Sequence, residues 1–228
     1  MKTTISLFAG ACALLCACSV QANLYQVTVN TQPLEGNANA PFYVDFQMNY
    51  GSGSGNSATL NDFNFAGGSP VGTAFSYSGA GQGAIGAYGT AAGDLSAGVT
   101  LSDNASSQFN GFYQQFTPGS TLTFNVNLSA NGTGQTPDDL IFSIDDYTTY
   151  QIYTTAPDQV SLAYFQINPY LHNPAISVNT YIFAPGDTGD NISGVTVSVV
   201  PEPAAYGVFA AAGLLVVCLG TQLRRKQI

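Results

Sequence analysis

Through the middle of the chain, apolar and polar residues alternate with a period of two, and glycine, proline, asparagine and serine interrupt the pattern at short intervals. Tyr25, Val27 and Val29 alternate with polar neighbours. Phe42, Val44, Phe46 and Met48 oppose Tyr43, Asp45, Gln47 and Asn49. After the turn signal Thr117-Pro118-Gly119-Ser120, Leu122, Phe124, Val126 and Leu128 oppose Thr121, Thr123, Asn125, Asn127 and Ser129. Successive side chains on a strand point to opposite faces, so each pattern predicts a strand with one buried face. Further strands are predicted at 58–65, 109–116, 140–145, 150–153, 160–167, 177–183 and 195–199. Between the termini no apolar series has helical spacing.

Residues 67–98 are rich in glycine, serine and alanine, with isolated apolar positions such as Val71, Phe75, Ile85 and Tyr88. Glycine at this density weakens any strand, so either loops with short strands or a mobile insertion is expected there. Many short strands with turns about every ten residues argue for an all-β, antiparallel β-sandwich. A jelly-roll-like arrangement is favoured over an immunoglobulin-like one, because tryptophan and cysteine, the usual core markers of the latter, are missing from this part of the chain.

The two ends read differently. Residues 204–223 carry no charge, and as a helix they would reach about 30 Å, the thickness of a bilayer's hydrocarbon core. Arg224, Arg225 and Lys226 follow, and the positive-inside bias holds such cations in the cytoplasm, leaving the rest of the chain outside. At the other terminus Lys2 precedes a short apolar run and then Val20-Gln21-Ala22, the parts of a secretory signal peptide over 1–22. A lipid-attachment reading at Cys18 competes, although Cys16 fits that pattern poorly.

Pro201-Glu202-Pro203, the apolar run 204–223 and the basic stop 224–226 together resemble the PEP-CTERM sorting signal of Gram-negative bacteria. The resemblance covers the tail 201–228 and implies recognition by an exosortase-type membrane enzyme and removal of the tail near Pro203. It implies a single-pass intermediate in the inner membrane, then a cell-surface or extracellular protein, and exopolysaccharide as its partner. Tyr25 to Thr31, Val44-Asp45-Phe46-Gln47 and the stretch 112–124 also resemble the ectodomains of one PEP-CTERM family, which adds to the fold expectation and not to a function.

Setting the ends aside leaves the ectodomain 23–200 with an unusual inventory. Cys12, Cys16, Cys18 and Cys218 all lie outside it, so it forms no disulfide and depends on an apolar core. Lys2, Arg224, Arg225 and Lys226 are the chain's whole complement of lysine and arginine, so 23–203 holds all 13 carboxylates and neither of those cations. Such a surface repels phosphate backbones and anionic lipid, which excludes nucleic-acid binding.

Enzymatic chemistry finds little footing. The only histidine, His172, sits between Pro169 and Pro174, and neither a Gly-x-Ser-x-Gly elbow nor a cysteine nucleophile accompanies it. Asp138-Asp139 and Asp145-Asp146 offer the carboxylates a secreted glycosidase needs, but the first pair follows Pro137 as a turn and the second ends a strand, neither in a setting that raises a pKa. The protein is therefore read as non-enzymatic.

Carbohydrate binding suits the residues better, because sugars are gripped by aromatic faces together with amides and carboxylates. Tyr147, Tyr150 and Tyr153 are the candidate ligand-binding residues, with Tyr164 and Tyr170 nearby, against the plain alternative that tyrosines suit half-buried strands. Calcium is the one cofactor considered, at Asp187, Asp190 and Asn191, where two carboxylates and an amide surround Gly189; an ordinary solvated turn is the competing reading. The reading is thus an exported, tail-sorted β-sandwich of the envelope or extracellular matrix, associated with exopolysaccharide and biofilm. A carbohydrate-binding module, a secreted glycosidase and a purely structural adhesion protein are the alternatives.

Overall fold

Alternation becomes strand wherever an apolar face has another sheet to cover it. The computed structural model describes residues 23–52, 55–72, 86–103, 109–129, 135–146, 152–168, 176–184 and 195–200. These residues form β1 Leu24–Asn30, β2 Phe42–Asn49, β3 Ser57–Asn64, β4 Ser69–Pro70, β5 Gly86–Tyr88, β6 Ala92–Asp94 and β7 Gly98–Ser102. The second half adds β8 Phe109–Thr117, β9 Thr121–Ser129, β10 Asp138–Asp146, β11 Ala163–Ile167, β12 Ile176–Thr180 and β13 Val195–Val199.

Two antiparallel sheets result, in a β-sandwich-like architecture. One runs β13-β1-β9-β3-β7-β6; the other runs β12-β11-β10-β2-β8-β4, with β5 also paired to β8. Between β1 and β9 the register sets Val27 against Phe124, and between β2 and β10 it sets Phe46 against Phe142. Each strand thereby turns the apolar residues read from the sequence inward: Val27 and Val29, Phe42 to Met48 at alternate positions, Leu122 to Leu128 likewise, and Leu140, Phe142 and Ile144 are all buried. Burying each such side chain contributes about 2 kcal/mol.

Phenylalanines join the layers. Phe142, Phe46 and Phe112 form a row across β10, β2 and β8. Phe124 of the opposite sheet meets two of them edge-on, with ring centroids 5.3 Å from Phe46 and 5.0 Å from Phe142. Edge-to-face geometry sets the positive rim of one ring against the negative face of the other. Tyr25 and Phe165 repeat this contact nearer the sheet margin, at 5.5 Å.

Two expectations change. Residues 150–153 were expected to be a strand; Ile152 and Tyr153 lie outside any strand, and nearby only Thr154 forms a bridge, to Phe183. The predicted strand 177–183 ends at Thr180, and its last part is reduced to that bridge, made by the Thr155 and Ala184 N–H groups donating to Ile182 and Tyr153. In the glycine-rich section the short strands β4, β5 and β6 form, held in part by inward-facing amides on β8: Gln114 accepts from the Leu95 backbone at 2.9 Å and donates to Gly72 at 2.9 Å. Among the described residues no helix is long and apolar enough to cross a membrane; 1–22 and 201–228 lie outside them.

Candidate functional site

Three polar features stand out on this scaffold, and each is placed by strand register. The first is a cleft of about 300 Å³ lined by Pro157, Asp158, Tyr164, Asn179 and Tyr181. On β11, Ala163, Phe165 and Ile167 point into the core, which turns Tyr164 and Gln166 outward. Tyr164 pairs with Asn179 across β11 and β12, so an aromatic ring and an amide share one outer face. Tyr181 follows directly, its backbone N–H donating to Leu162 at 2.9 Å.

Asp158 closes the cleft from the loop before β11. Its Oδ1 accepts backbone N–H groups from Val160 and Ser161, each at 3.0 Å, and its Oδ2 accepts the Ser161 hydroxyl. Burial pushes its pKa up, but the hydrogen bonds from Ser161 and Val160 outweigh that and hold it below the ordinary carboxylate value. The carboxylate is therefore a charged acceptor. Tyr164 is shifted the other way: burial first, then its hydrogen bond to Asp139 and the charges of Asp139 and Asp158, hold its phenol protonated. The cleft thus presents aromatic surface, an amide that both donates and accepts, and a fixed anion, the functional groups that match sugar hydroxyls and C–H faces.

The second feature lies at the centre of the same sheet. Tyr43, Asp45 and Gln47 of β2 were expected to form a wet face, yet Tyr43 and Asp45 are buried. Tyr43 stacks on Tyr113 with centroids 4.7 Å apart and planes 11° from parallel. Asp45 accepts from the Gln47 amide at 2.6 Å, with Ser143 Oγ at 3.5 Å. Register sets Ser143 opposite Asp45 and Asp145 opposite Tyr43, which leaves the two carboxylates one diagonal step apart. Burial raises Asp45 to about 7 against the donors Gln47 and Ser143. Burial, then the charges of Asp45 and Asp146, raise Asp145 to about 9. Asp145-Asp146 ends its strand as read, but the expectation that no apolar setting raises a pKa there is corrected at Asp145, and both side chains are buried.

The third feature is at one end of the sandwich, where Asp138 at the start of β10 meets Asp103 just past β7. Gly51 N–H donates to Asp138 Oδ1 at 2.7 Å, Asn56 Nδ2 to Asp138 Oδ2 at 2.7 Å, and Gly55 N–H to Asp103 Oδ1 at 2.7 Å. Asp103 N–H donates in turn to the Asn56 carbonyl at 3.0 Å. Asp138 was read as a turn residue after Pro137 in no setting that raises a pKa; it instead begins β10, is buried, and its pKa is raised, by burial foremost and by the hydrogen bond and charge of the facing Asp103.

Of the residues singled out from sequence, Tyr153 is 47 % exposed beside the loop that carries Asp158, and Tyr164 lines the cleft. Tyr147, Tyr150, Tyr170 and His172 lie outside the described residues, as do Asp187, Asp190 and Asn191, the sorting motif Pro201-Glu202-Pro203 and the basic stop Arg224, Arg225 and Lys226. Among the described residues no group of three or more His, Cys, Asp or Glu side chains is arranged to hold a metal. Sequence reasoning missed Pro157, Asp158, Asn179 and Tyr181 as one site, although Pro157-Asp158 is a turn signal and Tyr181 falls on a predicted strand. Asp45, a lone acid inside an apolar strand of a domain without lysine or arginine, was a legible warning of the enclosed pair. No protein-family model, no curated protein and no solved structure matches this chain.

Proposed function

We propose that this chain is an exported, non-enzymatic protein of the bacterial envelope or extracellular matrix whose β-sandwich binds exopolysaccharide in the cleft of Tyr164 and Tyr181. The observation that carries the proposal is the cleft itself, where tyrosine, amide and ionised carboxylate converge on the outer face of a sheet edge. Its volume of about 300 Å³ suits one or two sugar units of a longer chain. Export and maturation rest on the signal peptide 1–22 and on the PEP-CTERM-like tail 201–228, cut by an exosortase-type enzyme.

The finer fold belongs to the same proposal. Strands β1-β9-β3-β7 in one sheet and β2-β8-β4 in the other have the interleaved order of a jelly roll, with β10 to β12 and β13 added at the margins. A glycosidase is disfavoured because Asp45, Asp138 and Asp145, three of the carboxyls with raised pKa, are only 7 %, 2 % and 6 % exposed. A sugar bond has no way to lie between them.

Glycan-array binding and cosedimentation with bacterial exopolysaccharide test the proposal, using the full chain in detergent. Tyr164→Ala and Tyr181→Ala are each expected to weaken binding about 3- to 10-fold, the worth of one stacking contact, without lowering the melting temperature appreciably. Tyr147→Ala and Tyr150→Ala complete the series. Release of reducing sugar would favour the glycosidase, and absence of both binding and turnover would leave a structural adhesion protein.

A further inference from the structure

Taking the cleft of Tyr164 and Tyr181 as the glycan site proposed above, we infer that it selects glycans carrying free amino groups and rejects those carrying uronate, sulfate or phosphate. Among the residues that line it only Asp158 bears a charge, beside Tyr164, Tyr181, Asn179 and Pro157. The cleft's one ionic partner is therefore a cation.

A carboxylate offers about four lone-pair sites, and three of those on Asp158 are taken within its own loop. The Val160 and Ser161 N–H groups donate to Oδ1, and the Ser161 hydroxyl donates to Oδ2. One acceptor position is left on Oδ2, on a group whose orientation the loop has already fixed. Burial raises the pKa of Asp158, but these hydrogen bonds more than offset that and hold it below the ordinary carboxylate value, so it stays an anion in mildly acidic solution.

A second acid adds to the field. Asp139 accepts a hydrogen bond from the Tyr164 hydroxyl, and the charges of both Asp139 and Asp158 reach that phenol. Nothing offsets them from within the domain, since residues 23–203 contain no lysine or arginine.

An acidic sugar entering the cleft would give up water beside a like charge and find no cation in exchange. A protonated amino sugar gains instead. Its ammonium pairs with Asp158, lies against the negative faces of Tyr164 and Tyr181, and is drawn in by the acid-rich domain over a Debye length of about 10 Å. A neutral N-acetylated sugar keeps only stacking and the hydrogen bonds of Asn179 and Asp158.

Titration calorimetry of the full chain in detergent tests the inference with three probes, namely β-1,4-linked glucosamine oligomers, the same oligomers N-acetylated, and polyuronate oligomers. About pH 6 keeps the amines protonated and the uronates ionised. At low salt the amine form is expected to bind about fivefold or more tighter than the N-acetylated form, the strength of one ion pair, and the uronate not measurably. The preference is expected to shrink as sodium chloride is added. Asp158→Asn, which keeps an oxygen for the Val160 and Ser161 N–H groups, is expected to remove it. Glu35→Gln, at an exposed acid that does not line the cleft, is expected to leave it intact.

Equal binding of the amine and N-acetylated forms overturns the inference while the cleft remains a glycan site. Uronate binding as tight as the amine form does the same, and so does a preference that survives Asp158→Asn. Binding of none of the three overturns both proposals together. Should Asp158→Asn fail to fold, the carboxylate ¹³C resonance of Asp158 in the wild-type chain is followed instead. A shift larger with the amine form than with the N-acetylated form supports the inference, and an unmoved resonance overturns it.

Discussion

Asp145 stands one diagonal step from Asp45 on the neighbouring strand, and both are enclosed on the face that alternation alone would assign to water. Their carboxyls are raised to about 9 and about 7, by burial first in each case. A carboxyl whose folded pKa exceeds its unfolded value keeps its proton longer in the folded state. Its stabilising contribution is full below the unfolded value of 3.8 and is lost as pH rises through the folded one. Stability is therefore expected to fall between about pH 4 and pH 9, and urea midpoints across that range measure it. Asp145→Asn, which cannot ionise, is expected to flatten the profile and to be the more stable form at pH 8 by on the order of 2 kcal/mol. An unchanged slope in the variant would show that other groups set the pH dependence.

Phe124 is the ring that ties the sheets together, edge-on to Phe46 and Phe142 and stacked with Phe63 at 5.4 Å. Phe124→Ala leaves a cavity between layers that cannot collapse without moving a whole sheet. A loss of about 3 to 5 kcal/mol is expected in denaturant unfolding. A loss under about 1 kcal/mol would mean the layers close over the gap.

Gly51→Ala sets a methyl group against the Pro137 carbonyl and pulls the Gly51 N–H away from Asp138. About 2 to 3 kcal/mol of stability is expected to be lost, from overlap with backbone and from the broken charge-assisted bond. Gly51 is outside the left-handed region, so this loss contains no φ penalty; Gly36→Ala, at a φ of 68° with nothing within 4 Å, shows that penalty by itself for comparison.

Replacing Pro201, Glu202 and Pro203 by alanine is expected to leave the unprocessed chain in the inner membrane, because a span alone anchors but is not cut. Mass spectrometry of both ends of the protein in each cell fraction measures this. Processing and export of the triple variant like the parent would defeat the sorting proposal.

Sequence by itself determined the inner faces of the strands: Phe42, Val44, Phe46 and Met48, and Leu122 to Leu128, are buried as their period of two requires. It also determined that 23–203 has no cysteine, lysine or arginine, a matter of composition that folding cannot alter. Alternation states which side of a strand is apolar but not which strand lies beside it, since backbone hydrogen bonds are the same for every partner. Only the tertiary structure could bring Asp103 to Asp138, Asp45 to Asp145, and Tyr164 to Asp158 and Tyr181. It also buried Tyr43 and Asp45 on a face the sequence left open to water, because the side chains that neighbouring strands set beside them, Tyr113 of β8 and Ser143 and Asp145 of β10, leave no mark in a strand's own pattern.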